Sequence, residues 1–131
     1  MAETFRMIID GRAVDARSGE TVEVRNPANV DEVVGTVPKG DREDVRAAIH
    51  AAVAALEGSW WPRVYESRRR GKVLQRFAAL VEAHKDRLAR LLTREQGKIY
   101  RESVGELDSL INTFDYYAGY AGKIAGEVKY L

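Results

Sequence analysis

The chain has 131 residues, 45% of them hydrophobic and 31% charged, the balance of an ordinary globular protein. A net charge of +1 supplies no long-range field for nucleic acid or anionic lipid, so neither is an expected partner. The absence of cysteine excludes a disulfide framework, a thiolate metal site and a thiol nucleophile within these residues. No apolar run is long enough to cross a bilayer, and the start Met1 to Arg6 lacks the apolar centre of a secretion signal. The cytoplasm is therefore the expected compartment.

Short strands are expected over roughly residues 6 to 38. Met7, Ile8 and Ile9 favour a strand, Asp10-Gly11 is a hairpin turn because Gly accepts positive φ at little cost, and Val14 belongs to the returning strand. Thr21 to Arg25 alternates apolar and polar side chains and ends at Asn26-Pro27, where proline has no amide hydrogen to donate. Val33 to Val37 forms a third strand, stopped by Pro38. These make a small antiparallel sheet at most, which needs something to pack on.

Three amphipathic helices follow, over about residues 41–57, 67–96 and 99–119. Asp41 caps the first, and Glu43 and Asp44 place negative charge where the helix dipole favours it. Val45, Ala48, Ile49, Ala52, Val53 and Leu56 recur at helical spacing along its apolar side. Ser59-Trp60-Trp61-Pro62 then connects; the two indoles either anchor the loop or form a ligand platform. The second helix is expected to run unbroken to Gly97, with Val73, Phe77, Leu80, Val81, His84, Leu88, Leu91 and Leu92 on its apolar face. The third carries Val104, Leu107, Leu110, Ile111, Phe114 and Tyr117, and Glu127 to Leu131 reads as the beginning of a final strand. An unfinished strand with no cap or turn suggests a chain that is the leading piece of something larger.

Little in this pattern carries chemistry by itself. The basic run Arg68 to Lys72 opposes the dipole at a helix start but has no interleaved aromatics to mark a nucleic-acid surface. His50 and His84 fall on different helices, without the spacing of a zinc motif. There is no glycine-rich phosphate loop after a strand and no serine in a nucleophile elbow.

The order of motifs is more informative. Ile8-Ile9-Asp10-Gly11, Val24-Arg25-Asn26-Pro27-Ala28, Gly40-Asp41 with Asp44-Val45, Trp61, Arg69, Arg76 to Val81, Glu95-Gln96-Gly97-Lys98 and Phe114 to Gly119 occur in this sequence. In that order the chain resembles the N-terminal region of the NAD(P)-dependent aldehyde dehydrogenase superfamily over residues 6 to 131. Ile99 departs from the resemblance, standing where the family usually has proline. The resemblance implies an α+β segment of an α/β aldehyde dehydrogenase fold, the leading and incomplete part of the cofactor-binding domain. It implies a parent enzyme that oxidises an aldehyde to a carboxylic acid with NAD or NADP, by thiolate attack, hydride transfer and thioester hydrolysis. The family's nucleophilic cysteine, general base and cofactor-binding residues lie further along, so no catalytic or cofactor-binding residue is assigned, and this chain alone is expected to be inactive and to bind no cofactor.

Two lesser roles follow from the same resemblance. Ser109, Asn112 and Thr113 are substrate-funnel candidates, or else an ordinary polar stripe. A structural monovalent cation is implied between the carbonyl of Val24 or Arg25 and the carboxylate of Glu95, although Glu95 could equally pair with Lys98 or an arginine. The expected partner is the remainder of the fold, or a second copy bound through exposed helix faces. The alternative function is a non-catalytic helical interaction module.

Overall fold

The computed structural model describes residues 3–123 and 126. The expected strand at 127–131 lies outside the described residues. Among the described residues five strands and four α-helices are formed, in the order β1 (Glu3–Thr4), β2 (Met7–Ile9), β3 (Arg12–Val14), β4 (Thr21–Asn26), β5 (Asn29–Pro38), α1 (Arg42–Gly58), α2 (Ser67–Ala83), α3 (Lys85–Gln96) and α4 (Tyr100–Tyr120). The chain divides into two compact units, one comprising Met1–Ser59 with Arg90–Tyr100, the other Trp60–Ala89 with Arg101–Leu131.

In the first unit, β2 and β3 form the expected hairpin, with Ile9 opposite Arg12. Asp10 and Gly11 take φ of 53° and 70°, the paired positive values that match the twist of a two-residue hairpin. The remaining strands make a separate sheet in the order β1-β5-β4. The strands expected over 6–38 pair antiparallel, β2 with β3 and β4 with β5; β1, which lies before that range, adds a parallel pairing with β5, Glu3 opposite Gly35. The short Asn26 to Asn29 connection permits only an antiparallel pair, whereas β1 joins from far enough upstream to add on either way.

Asp41 caps α1 as expected, accepting from the amides of Glu43 and Asp44, while the Asp44 carboxylate accepts from the Asp41 amide. Asp44 is buried because it also accepts from the backbone amide of Arg17 at 3.2 Å. The apolar side of α1 is not buried. Val45, Ile49, Val53 and Leu56 are 57%, 56%, 46% and 60% exposed. Ala48, Ala52 and Ala55 are exposed as well and Ala51 is half-buried; the four line an open groove with Ile8, Ile9, Asp10 and Gly11 of the hairpin.

The second unit packs α2, the first half of α3 and α4. Its core is Val81, Ala89 and Leu107, with Leu88, Val104, Leu110 and Ile111 against them. The expected single helix over 67–96 is two helices. His84 leaves helical geometry at φ −113°, ψ 13°, its amide shared between the carbonyls of Leu80 and Val81. No glycine or proline marks this break. It is held from outside, since Lys85 forms ion pairs with Glu82 and with Asp108 of α4. His84 is exposed at the break and is no part of an apolar face.

The buried face of α2 also differs from the expected one. Val73, Phe77 and Leu80 are exposed, while Gly71, Ala78 and Val81 are buried. Small residues let backbones approach: a Cβ at position 71 would stand 2.9 Å from the Ala118 carbonyl oxygen. Phe77 instead stacks at the margin on Phe114, ring centroids 4.3 Å apart.

Candidate functional site

Two of the motifs singled out in the sequence meet in the first unit. Asn26-Pro27-Ala28 forms the turn between β4 and β5, with the Asn26 side-chain oxygen accepting from the Ala28 amide at 2.9 Å. Glu95-Gln96-Gly97-Lys98 ends α3. Gly97 closes that helix at φ +69° and lies against the turn, where a Cβ would come within 3.0 Å of the Ala28 nitrogen and 3.2 Å of Pro27 Cβ. Only glycine satisfies both the left-handed conformation and the space.

Polar side chains fasten the same junction. Arg94 Nε donates to Glu32 Oε1 at 2.6 Å, and Asn26 Nδ2 donates to Glu32 Oε2 at 2.8 Å. The Asn26 bond first, and then Arg94, hold the Glu32 carboxyl below the usual carboxylate range. Periodicity could not have found this bridge, since its partners are 62 residues apart. The Asn-Pro turn was the one local signal.

Beside the junction lies a cavity of about 240 Å³ lined by Phe5, Val24, Val34, Gly35, Val37, Leu91 and Glu95. Val24 and Glu95, both named from sequence as cation candidates, therefore share one cavity. Arg25 does not join them by its side chain, which pairs with Glu23 Oε2 at 2.5 Å and donates to the Val30 carbonyl at 3.0 Å. The β4–β5 register is irregular between Val24 and Asn26, and such a bulge takes backbone groups out of the ladder. Among the described residues Glu95 is the one charged member of an otherwise apolar lining. No cluster of three or more His, Cys, Asp or Glu able to hold a metal occurs among the described residues.

Ser109, Asn112 and Thr113 fall on one exposed stripe of α4. The Thr113 hydroxyl donates back to the Ser109 carbonyl at 2.7 Å, a local bond that uses its hydrogen. The nearby cavity of about 310 Å³, lined by Gln75, Ala78, Ala79, Glu82, Ile111 and Asp115, includes none of the three.

A dinucleotide does not fit the strand-to-helix junction that the described residues contain. A pyrophosphate needs free amides at a helix N-terminus after a strand. At the β5–α1 junction those amides are taken by the carboxylates of Asp41 and Asp44, whose negative charge would repel it. No helix among the described residues is long and apolar enough to cross a membrane.

Comparison with known proteins agrees with the motif order. The family model described as "Aldehyde dehydrogenase family" matches residues 13–130. The chain is 42% identical over 123 residues to phenylacetaldehyde dehydrogenase of Pseudomonas fluorescens, covering 92% of this chain and 24% of that protein. It is 41% identical over 124 residues to a mitochondrial aldehyde dehydrogenase of Arabidopsis thaliana, covering 92% and 22% respectively. Among solved structures, an NAD-dependent aldehyde dehydrogenase from Sinorhizobium meliloti superposes with TM-score 0.92 at 33% identity, over 97% of this chain and 25% of the other. Betaine aldehyde dehydrogenase from Staphylococcus aureus, solved with NAD+, gives TM-score 0.86 at 39% identity, over 93% and 24%. The chain thus spans about a quarter of the length of the relatives it matches.

Proposed function

The chain belongs to the aldehyde dehydrogenase family, and we propose that it forms the N-terminal portion of an NAD(P)-dependent enzyme that oxidises an aldehyde to a carboxylic acid, with no activity as this polypeptide alone. The observation that carries the proposal is coverage. Nearly all of the chain aligns with the family, yet its 131 residues hold no cysteine for the thiolate that attacks the aldehyde. The part it supplies is a leading portion of the cofactor-binding domain. NAD or NADP is held by residues found elsewhere in the family, which accords with the capped β5–α1 junction.

Two site assignments belong to the same proposal. A monovalent cation sits between the backbone carbonyl of Val24 or Arg25 and the Glu95 carboxylate, a hard-cation oxygen set. The shared cavity of Val24 and Glu95 supports it. Ser109, Asn112 and Thr113 contribute one wall of the substrate funnel, supported by their common exposed stripe. A cytoplasmic location completes the reading.

The partner is the remainder of the fold or, without it, a second copy. The exposed row Val45, Ile49, Val53 and Leu56 favours a surface that other protein covers. The same row supports the second reading, a non-catalytic interaction module. Absorbance of NAD(P)H discriminates between them. This polypeptide mixed with aldehyde and cofactor gives no signal, and co-expression with the cysteine-bearing remainder of a close relative restores oxidation. Failure of that complementation, with a stable complex nevertheless formed, favours the module; turnover by the polypeptide alone removes the proposal.

A further inference from the structure

Two features have been given no role so far: the tryptophan pair before α2 and the basic run that opens it. In the second unit they meet. Gly71 lets α2 approach α4 so closely that a Cβ there would lie 3.2 Å from Ala121 Cβ. Next to this approach opens a cleft of about 310 Å³, walled by Trp61, Leu74, Tyr117 and Tyr120, with Arg70 and Lys123 among its lining residues. Among the described residues no aspartate or glutamate lines it.

The cations are placed by specific contacts. Arg70 Nη1 donates to the Trp61 carbonyl at 2.6 Å and to the Arg63 carbonyl at 2.8 Å, which fixes the guanidinium beside the indole loop. Those bonds engage one nitrogen of a group that carries donors on three. Lys123 Nζ lies 5.8 Å from the centre of the Tyr120 ring. Trp61 is braced by Trp60, ring centroids 5.4 Å apart, and Trp60 in turn lies under the Arg69 guanidinium at 3.9 Å. Flat apolar walls with the positive charges of Arg70 and Lys123 among the described lining residues select a flat apolar body carrying one negative charge.

We infer that this cleft is a binding site for small aromatic monocarboxylates, the ring lying between Trp61 and the tyrosines and the carboxylate meeting Arg70 and Lys123. The inference uses the second unit alone and stands apart from the dehydrogenase reading.

The test is an NMR titration of this chain with 3-phenylpropionate, and in parallel with the neutral 3-phenylpropionamide. Saturable shifts are expected at the Trp61 indole N–H and the amides of Tyr117 and Ala121. The amide is expected to bind about tenfold more weakly, the cost of one charge-assisted pair. Arg70→Gln could loosen the loop it holds, so Lys123→Gln, which leaves both Arg70 bonds in place, is the second variant and is expected to weaken the acid by a few-fold, roughly. Equal binding of acid and amide, unchanged affinity in both variants, or acid-induced shifts that never saturate and fall equally on the α1 stripe would each overturn the inference.

Discussion

Helices α1 and α4 read almost alike in sequence and behave differently in the structure. Both carry an apolar row at helical spacing. In α4 that row meets neighbours, and Leu107 is 8% exposed against Val81 and Ala89. In α1 the row of Val45, Ile49, Val53 and Leu56 stays open, while the helix is held by its capping box and the Arg17–Asp44 bond. Periodicity thus specifies that a face is fit for burial. It does not specify what buries it, because covering depends on residues remote in sequence.

The contrast can be broken or sharpened by substitution. The largest effect is expected from Leu107→Ala, which should cost about 2–5 kcal/mol in urea unfolding because the cavity it leaves is enclosed. Gly97→Ala should follow at about 1–2 kcal/mol, since alanine pays for the left-handed backbone and meets the Pro27 turn as well. Circular dichroism melting would register it. Asp41→Ala should destabilise α1 by a smaller amount, seen as lost helical signal, because α1 depends on its ends more than on its face. The smallest effect is expected at Ile49→Gln, within about 0.5 kcal/mol of the parent, as for other exposed positions. A large loss there would show that the α1 row is covered in solution.

Acid provides a further comparison. Glu32 and Asp41 both have carboxyls held below their ordinary values, Glu32 by Asn26 and then Arg94, Asp41 by the amides of Asp44 and Glu43. A depressed folded-state value means stability that is present above the unfolded-state value and is lost as pH falls through the folded one. Both contributions therefore persist at neutral pH and disappear in acid. Glu32→Gln should flatten the acid limb of a stability-against-pH curve, and the amides of Asn26, Ala28 and Gly97 should report it. An acid limb unchanged by Glu32→Gln would detach the bridge from stability.

What the sequence made legible was local or familial. Asp10-Gly11 and Asp41 each act on backbone within a few residues, so their turn and cap are written where they occur. The break at His84 was hidden because the apolar spacing keeps its phase across it, and the interactions that hold it include Asp108 on another helix. The buried face of α2 was misread because Gly71 and Ala78 bury well through being small, which a search for large apolar side chains passes over. In the candidate site, no local rule relates residue 24 to residue 95. The resemblance named both, and the structure puts them on one cavity. Arg94 and Glu32, which fasten the neighbouring junction, were not found at all.

The Arg94–Glu32 bridge spans 62 positions of chain, and the first unit takes its final strip from Arg90–Tyr100. During synthesis the early strands leave the ribosome well before the residues that lock them. Closing so long a loop costs entropy before any contact repays it. Until Gly97 arrives to seat on Pro27, the nascent β4–β5 turn must wait without the neighbour that locks it.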